Sequence, residues 1–279
     1  MQFCLYQESR RGSRRTNQDR IAHCQSRDAL LMLVADGMGG HVHGELAAQI
    51  AVEHVAAAFR REATPRLSDP HEFLRQAIAG AHYAIIENAW RRGLPEAPRT
   101  TCVACVIQNG TACWVHAGDS RLYFLREGAV LAQTKDHTVL QRLIDRGRIS
   151  RADELGERPE RNQIYSCLGS ERPPQVELSR AMPLHDGDSL IMCSDGLWAP
   201  LSAKLIGTTV MKMGILKAVP ALLDEAERRA GRECDNLSVV AVTWGNPPRA
   251  QGHRTSAESQ QSDSFDDAFQ PITFERTNS

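Results

Sequence analysis

The chain has 279 residues, with 33 Lys+Arg against 34 Asp+Glu for a formal net charge of −1, and 42% of it is hydrophobic. That is enough apolar material for a sizeable core, in one large domain or two small ones. The balanced charge argues against a nucleic-acid binder, whose affinity comes from neutralising many phosphates. Apolar runs such as residues 29–35 fall far short of the roughly 20 residues a bilayer span needs.

The N-terminus, MQFCLYQESRRGSRR, has no apolar h-region, so the sequence predicts a cytoplasmic protein without a secretory signal. Leu30–Ala35 is an apolar strand-like run. Helical spacing follows over about Glu45–Arg61, where Leu46, Ala47, Ile50, Ala51, Val55 and Phe59 share a face, and again over Pro70–Arg92. Thr101–Ile107 and Thr111–Ala117 are β-rich and flank Gln108-Asn109-Gly110, a hairpin signal because Asn and Gly tolerate positive φ. Arg121–Leu125 and Val130–Gln133 form the next hairpin around Arg126-Glu127-Gly128. A helix is predicted over His137–Arg146. The charged segment Arg146–Asn162 reads as a solvated flap with a role in substrate selection as the sharper alternative. Ser189–Cys193 and Leu237–Trp244 are strands, and Ile215–Ala230 is a helix.

Consecutive hairpins, rather than alternating βαβ units, imply antiparallel sheets covered by helices in a mixed domain over residues 1–245. Residues 246–279 are polar and predict a disordered tail. In that tail Phe265 and Phe269 stand four apart among aspartates, the pattern of a short docking helix or simply of a solvated segment. Eight cysteines occur, and Cys102 and Cys105 are the one close pair. They fall on a strand where residues three apart face opposite ways, so buried thiols are expected rather than a metal or redox site.

The informative pattern is where the aspartates fall. Asp36-Gly37 ends the run LLMLVA, Asp119 follows WVHAG, Asp195-Gly196 follows LIMCS, and Asp235-Asn236 precedes LSVVAVTW. A single Asp-Gly is ordinary turn chemistry. Four carboxylates brought together at strand ends would repel one another in a low-dielectric place unless cations sat among them. Short carboxylates and carbonyls suit Mg²⁺ or Mn²⁺, and no thiolate or histidine cluster favours zinc. The Gly-rich turn after Asp36 lacks the Lys-Ser/Thr of a P-loop. It either cradles phosphate on backbone N–H groups or lets the chain approach closely and present the Gly37 carbonyl.

Taken in order, Arg14-x-x-Asn17-Gln18-Asp19, Val34-Ala35-Asp36-Gly37-Met38-Gly39-Gly40-His41, Thr100-Thr101, Gly118-Asp119-Ser120-Arg121, Asp136-His137, Cys193-Ser194-Asp195-Gly196-Leu197 and Asp235-Asn236 resemble the metal-dependent serine/threonine phosphatases of type 2C, in particular their bacterial members. The resemblance spans about Gly12 to Val242. It implies an α+β fold, a four-layer α-β-β-α sandwich of two antiparallel sheets flanked by helix pairs. It also implies two Mn²⁺ or Mg²⁺ ions, with a third as an extra, and water as nucleophile. By the same resemblance Asp36 bridges two metals, Gly37 lends its carbonyl, and Asp195 and Asp235 are direct ligands. Asp19 holds metal-associated waters, Asp119 supports the third ion, and Arg14 grips the phosphate. Asp36 and Arg14 are then the catalytic pair, while Ser120 and Ser194 are not nucleophiles. His137 is expected to order its loop, and His41 is a candidate for proton transfer in a family whose animal members carry a histidine where Met38 stands.

The function implied is hydrolysis of phosphoserine and phosphothreonine on proteins, opposing a bacterial Ser/Thr kinase. The alternatives are a non-catalytic module of the same fold that binds phosphoproteins or a kinase, and a hydrolase of small phosphate esters.

Overall fold

Within β3 (Ala29–Ala35) every side chain is buried, yet successive residues serve different layers: Leu31, Leu33 and Ala35 face one core cluster, and Leu30, Met32 and Val34 face another. The same alternation runs through β4 (Cys102–Gln108), where Cys102, Ala104 and Val106 oppose Val103, Cys105 and Ile107. A strand covered on both faces has no solvent side, which is why its sequence is continuously apolar instead of alternating with polar residues.

The structure, a computed structural model, describes residues 1–38, 43–148 and 163–245. Gly39, Gly40 and His41, most of the charged segment ending at Asn162, and the tail with Phe265 and Phe269 lie outside the described residues. Besides β3 and β4, the elements are β1 (Phe3–Arg10), β2 (Arg20–Gln25), α1 (Gly44–Glu62), α2 (Pro70–Arg91), β5 (Thr111–Ala117), β6 (Arg121–Arg126), β7 (Ala129–Gln133), α3 (Val139–Asp145), β8 (Glu177–Leu178), β9 (Met182–Pro183), β10 (Ser189–Cys193), α4 (Asp195–Trp198), α5 (Ala203–Met213), α6 (Ile215–Ala230) and β11 (Leu237–Trp244).

They form two antiparallel sheets, one ordered β1-β11-β10-β6-β7 and the other β2-β3-β4-β5-β8, with β9 also pairing β5. The inner faces pack together through residues such as Met32, Val103, Leu122, Phe124, Met192 and Val240. Helices α1 and α2 cover the outer face of the second sheet, while α4, α5 and α6 cover that of the first. The result is the four-layer α-β-β-α sandwich expected from the resemblance.

Local chemistry sets the boundaries. The β4–β5 hairpin turns at Asn109 and Gly110, with φ of 53° and 66°, as the Asn-Gly pair requires. Pro70 opens α2, and Asp69 caps it by accepting from His71 N at 2.9 Å and Glu72 N at 3.1 Å. All eight cysteines are free and seven are buried. Cys102 and Cys105 point into different core layers, as their three-residue spacing on a strand requires. Among the described residues no helix is long and apolar enough to cross a membrane.

Candidate metal and phosphate site

Asp19, Asp36, Asp119, Asp195 and Asp235 lie at one end of the sandwich, because antiparallel pairing brings strand ends together. Arg20 pairs with Ala35 across β2 and β3, which sets Asp19 beside Asp36. Cys193 pairs with Val239 across β10 and β11, which places the Asp195 turn near Asp235. Asp119 sits in the three-residue crossover from β5 to β6, where the chain passes from one sheet to the other. Asp36, Gly37, Asp119, Asp195 and Asp235 line a single cleft of about 460 Å³, with Arg14 and Arg15 on its wall.

Asp19 is buried behind this cleft. Its Oδ2 accepts the Ser194 hydroxyl proton at 2.7 Å, while Oδ1 is buried with no hydrogen-bond partner. The Asp36 carboxyl feels the negative charges of Asp19, Asp195, Asp119 and Asp235. Burial, followed by the mutual repulsion of the aspartates, pushes the Asp36 and Asp119 carboxyls well above the ordinary range. Burial and then the Asp235 charge raise Asp195 to about 7. Asp19 rises to about 6, chiefly through burial. Anions gathered this closely are costly unless positive charge is supplied.

The backbone around them is built for close approach. The Gly37 N–H donates to the Gln18 carbonyl at 3.3 Å, and a Cβ on Gly37 would overlap the Gly44 carbonyl, so only glycine fits between the β2 entry and α1. The Asp36 N–H donates to Thr101 Oγ1 at 3.1 Å, and its carbonyl accepts from Thr100 Oγ1 at 2.9 Å. Thr101 Oγ1 also bonds Ser120 Oγ at 2.7 Å. Ser194 Oγ accepts from Ser238 N at 3.0 Å while donating to Asp19. Both serines are therefore engaged in positioning, and among the described residues neither has a histidine hydrogen-bond partner.

At the rim, Arg14 Nη2 donates to Asp235 Oδ2 at 2.7 Å and leaves 58% of its side chain exposed. Sequence reasoning missed the residue that holds this loop in place. Asn236 is buried; its Nδ2 donates to the carbonyls of Arg11 at 2.7 Å and Thr16 at 3.0 Å, and its Oδ1 accepts from Gln18 N at 2.8 Å. The signal was present in the Asp-Asn pair, since a buried amide can satisfy a loop with both donors and acceptors. Gln18 donates to Glu45 Oε2 at 3.1 Å, which an amide can do and a second carboxylate could not.

The donor set passes the test for hard divalent cations. It consists of carboxylates and a backbone carbonyl, one buried carboxylate oxygen lacks a partner, and the anions are crowded without a matching number of cations. A different group, His116, His137 and Glu177, holds its donor atoms within 4.8 Å of one another. There His116 Nε2–H donates to the Lys135 carbonyl at 2.7 Å, leaving its Nδ1 buried without a partner. His137 Nδ1 accepts from Gly118 N at 3.3 Å. The two rings stack at 4.6 Å with 28° between planes, so their in-plane lone pairs run side by side instead of converging on one ion. The His137 backbone also bonds Gly118 and Tyr165, each at 2.9 Å, contacts consistent with a role in ordering the loop.

A two-sheet sandwich with carboxylates from both sheets converging at one end defines a class of metal-site fold, and the comparisons place the chain within it. Residues 6–214 match the family model for protein phosphatase 2C, and the protein belongs to that family. The chain is 33% identical over 235 residues to the serine/threonine protein phosphatase PstP of Mycobacterium tuberculosis, covering 84% of this chain and 43% of that protein, so it spans less than half of that relative. It is 30% identical over 240 residues to the protein phosphatase PhpP of Streptococcus pneumoniae, covering 83% of this chain and 94% of that one. Among solved structures, the catalytic domain of PstP in complex with two manganese ions matches with a TM-score of 0.71 and 30% identity, covering 86% of this chain and 97% of that one.

Proposed function

We propose that the protein is a Mn²⁺- or Mg²⁺-dependent phosphatase that hydrolyses phosphoserine and phosphothreonine on proteins. Residues 1–245 form its catalytic domain and 246–279 a polar tail. It works in the cytoplasm and opposes a Ser/Thr kinase. The observation that carries this reading is the convergence of Asp36, Asp119, Asp195 and Asp235 on one cleft that also holds Arg14.

Asp36, Asp195, Asp235 and the Gly37 carbonyl would hold the core cations, Asp119 with Asp195 would support a third, and Asp19 would order the surrounding water. When bound, such cations supply an acidified water nucleophile and neutralise charge on the phosphoryl oxygens. The charges of four other aspartates, Asp19, Asp195, Asp119 and Asp235, reach Asp36, which supports its assignment as the carboxylate that would be shared by two ions. Arg14 is exposed at the rim, where its planar fork can take two phosphoryl oxygens of a side chain that reaches in from a protein surface. Ser120 and Ser194 are held by their own hydrogen bonds, which supports direct attack by water rather than a phosphoenzyme.

The test is phosphate release from phosphothreonine and phosphoserine peptides beside an aryl phosphate and a sugar phosphate, each with Mn²⁺ or EDTA. Metal-dependent turnover with higher kcat/KM on the peptides is expected. A preference for the sugar phosphate would make the protein a small-ester hydrolase, and metal binding without turnover would make it a binding module.

A further inference from the structure

Arg121 is the first residue of β6, two positions after Asp119, and its backbone pairs with Cys193, two positions before Asp195. Its side chain is largely buried between two structures that lead to those aspartates. On one side, Nε and Nη2 donate to Asp136 Oδ1 and Oδ2 at 2.9 and 2.7 Å, a bidentate pair. Asp136 leads directly into His137, whose N–H donates to the Gly118 carbonyl at 2.9 Å and whose Nδ1 accepts the Gly118 N–H. Gly118 adjoins Asp119. On the other side, the guanidinium lies 3.6 Å from the centroid of the Trp198 ring. Trp198 closes α4, the single helical turn that opens at Asp195, and the Ala199 N–H donates back to the Asp195 carbonyl at 2.8 Å. Tyr123 OH accepts a further bond from Nη1 at 3.3 Å.

We propose that the Arg121–Asp136 pair is a positioning clamp that fixes Asp119 and Asp195 relative to each other, and so sets the affinity of the cation these two carboxylates share. The inference rests on the assignment of Asp119 and Asp195 as metal ligands. No part of Arg121 needs to touch substrate or metal. Only a flat, delocalised cation can bond bidentately to Asp136 with its edge while stacking on Trp198 with its face, which lysine cannot do. Outer groups that orient metal ligands typically contribute ten- to a hundredfold in metal affinity.

The test is a Mn²⁺ binding isotherm, read by the EPR signal of free Mn²⁺, on the wild type and on Arg121→Lys, Asp136→Asn and Asp119→Asn. The apparent melting temperature in EDTA is measured alongside. Asp119→Asn identifies the shared site by the step it removes. Arg121→Lys and Asp136→Asn are each expected to weaken that same step by about tenfold or more while the remaining steps move by less than about twofold. The Mn²⁺ concentration giving half-maximal turnover should rise in parallel. If Asp119→Asn removes a step that both clamp variants retain at wild-type affinity, the clamp is wrong and the site assignment stands. If Asp119→Asn leaves the isotherm unchanged, the site assignment itself fails. A purely structural role lowers the melting temperature and leaves the isotherm of the folded protein unchanged, which also overturns the proposal. Should one clamp variant not fold, the other carries the test, since each removes one half of the same pair.

Discussion

Arg14 and Asp235 are joined at 2.7 Å across the mouth of the cleft, so the residue proposed to grip phosphate rests on a carboxylate proposed to grip metal. Binding of a cation and binding of a phosphoryl group are linked through this pair, because a guanidinium released from Asp235 is available to the substrate. Arg14→Ala should lower kcat/KM on phosphopeptides by about tenfold or more, the size of a lost charge-assisted hydrogen bond of about 1.5–3 kcal/mol. Its Mn²⁺ affinity should hold or rise, since the neighbouring positive charge is gone. Steady-state kinetics beside a binding isotherm checks both, and a weakened Mn²⁺ affinity in the variant would contradict the linkage.

Ser194 neighbours Asp195, a proposed metal ligand, which could be mistaken for nucleophile chemistry. Its hydroxyl instead serves Asp19 and the Ser238 N–H. Ser194→Ala should cost about 1–3 kcal/mol of stability by leaving buried partners unpaired. Turnover at saturating Mn²⁺ should fall by no more than about tenfold, far from the losses of about 10⁴ or greater that follow deletion of a nucleophile. Denaturant unfolding and kcat on the same preparation separate the two.

Asn236 satisfies three backbone groups from inside the protein. Asn236→Ala should destabilise by about 2–4 kcal/mol, because buried donors and acceptors lose their partners together. The loss should also free the loop that carries Arg14, raising KM for phosphopeptides more than it lowers kcat. Calorimetry and kinetics test the two halves of this expectation.

The crowded carboxylates give a pH signature with a definite sign. Asp19 at about 6 and Asp195 at about 7 lie above the unfolded value near 3.9, so between these limits the folded protein holds more protons than the unfolded one. Stability from this cluster in EDTA is therefore present at low pH and lost as pH rises through 6–7. Asp195→Asn, with one charge fewer, should melt a few degrees higher than the wild type in EDTA at pH 8, at roughly 2–4 °C per kcal/mol. That advantage should vanish near pH 4, and Mn²⁺ should stabilise the wild type more at pH 8 than at pH 5.5. Thermal melts across pH read all three.

Much of this architecture was legible in the chain. The Asn109-Gly110 hairpin, the continuous apolar strands and the Asp-bearing strand ends rest on local chemistry, and their positions follow from turn geometry and strand pairing. What escaped notice had weaker local signals. Strand β1 is only partly buried along FCLYQESR, so its pattern does not separate from a loop, and its place at the sheet edge comes from pairing with β11 at the far end of the chain. Helix α5, with glycine, two threonines and exposed methionines in AKLIGTTVMKM, has modest helix propensity, and packing against its neighbours supplies the rest. Arg121, Asp136 and Trp198 are far apart in sequence, and only the packed sheets bring the guanidinium against both partners.

The most direct test of the central claim is Mn²⁺-dependent phosphate release from a phosphothreonine peptide by the wild type and by Asp195→Asn, each shown to be folded by its melting curve. The wild type should turn over only with metal, and the folded variant should lose at least about a hundredfold of that activity. A folded Asp195→Asn protein that keeps wild-type, metal-dependent turnover would contradict the assignment of these converging aspartates as the metal site.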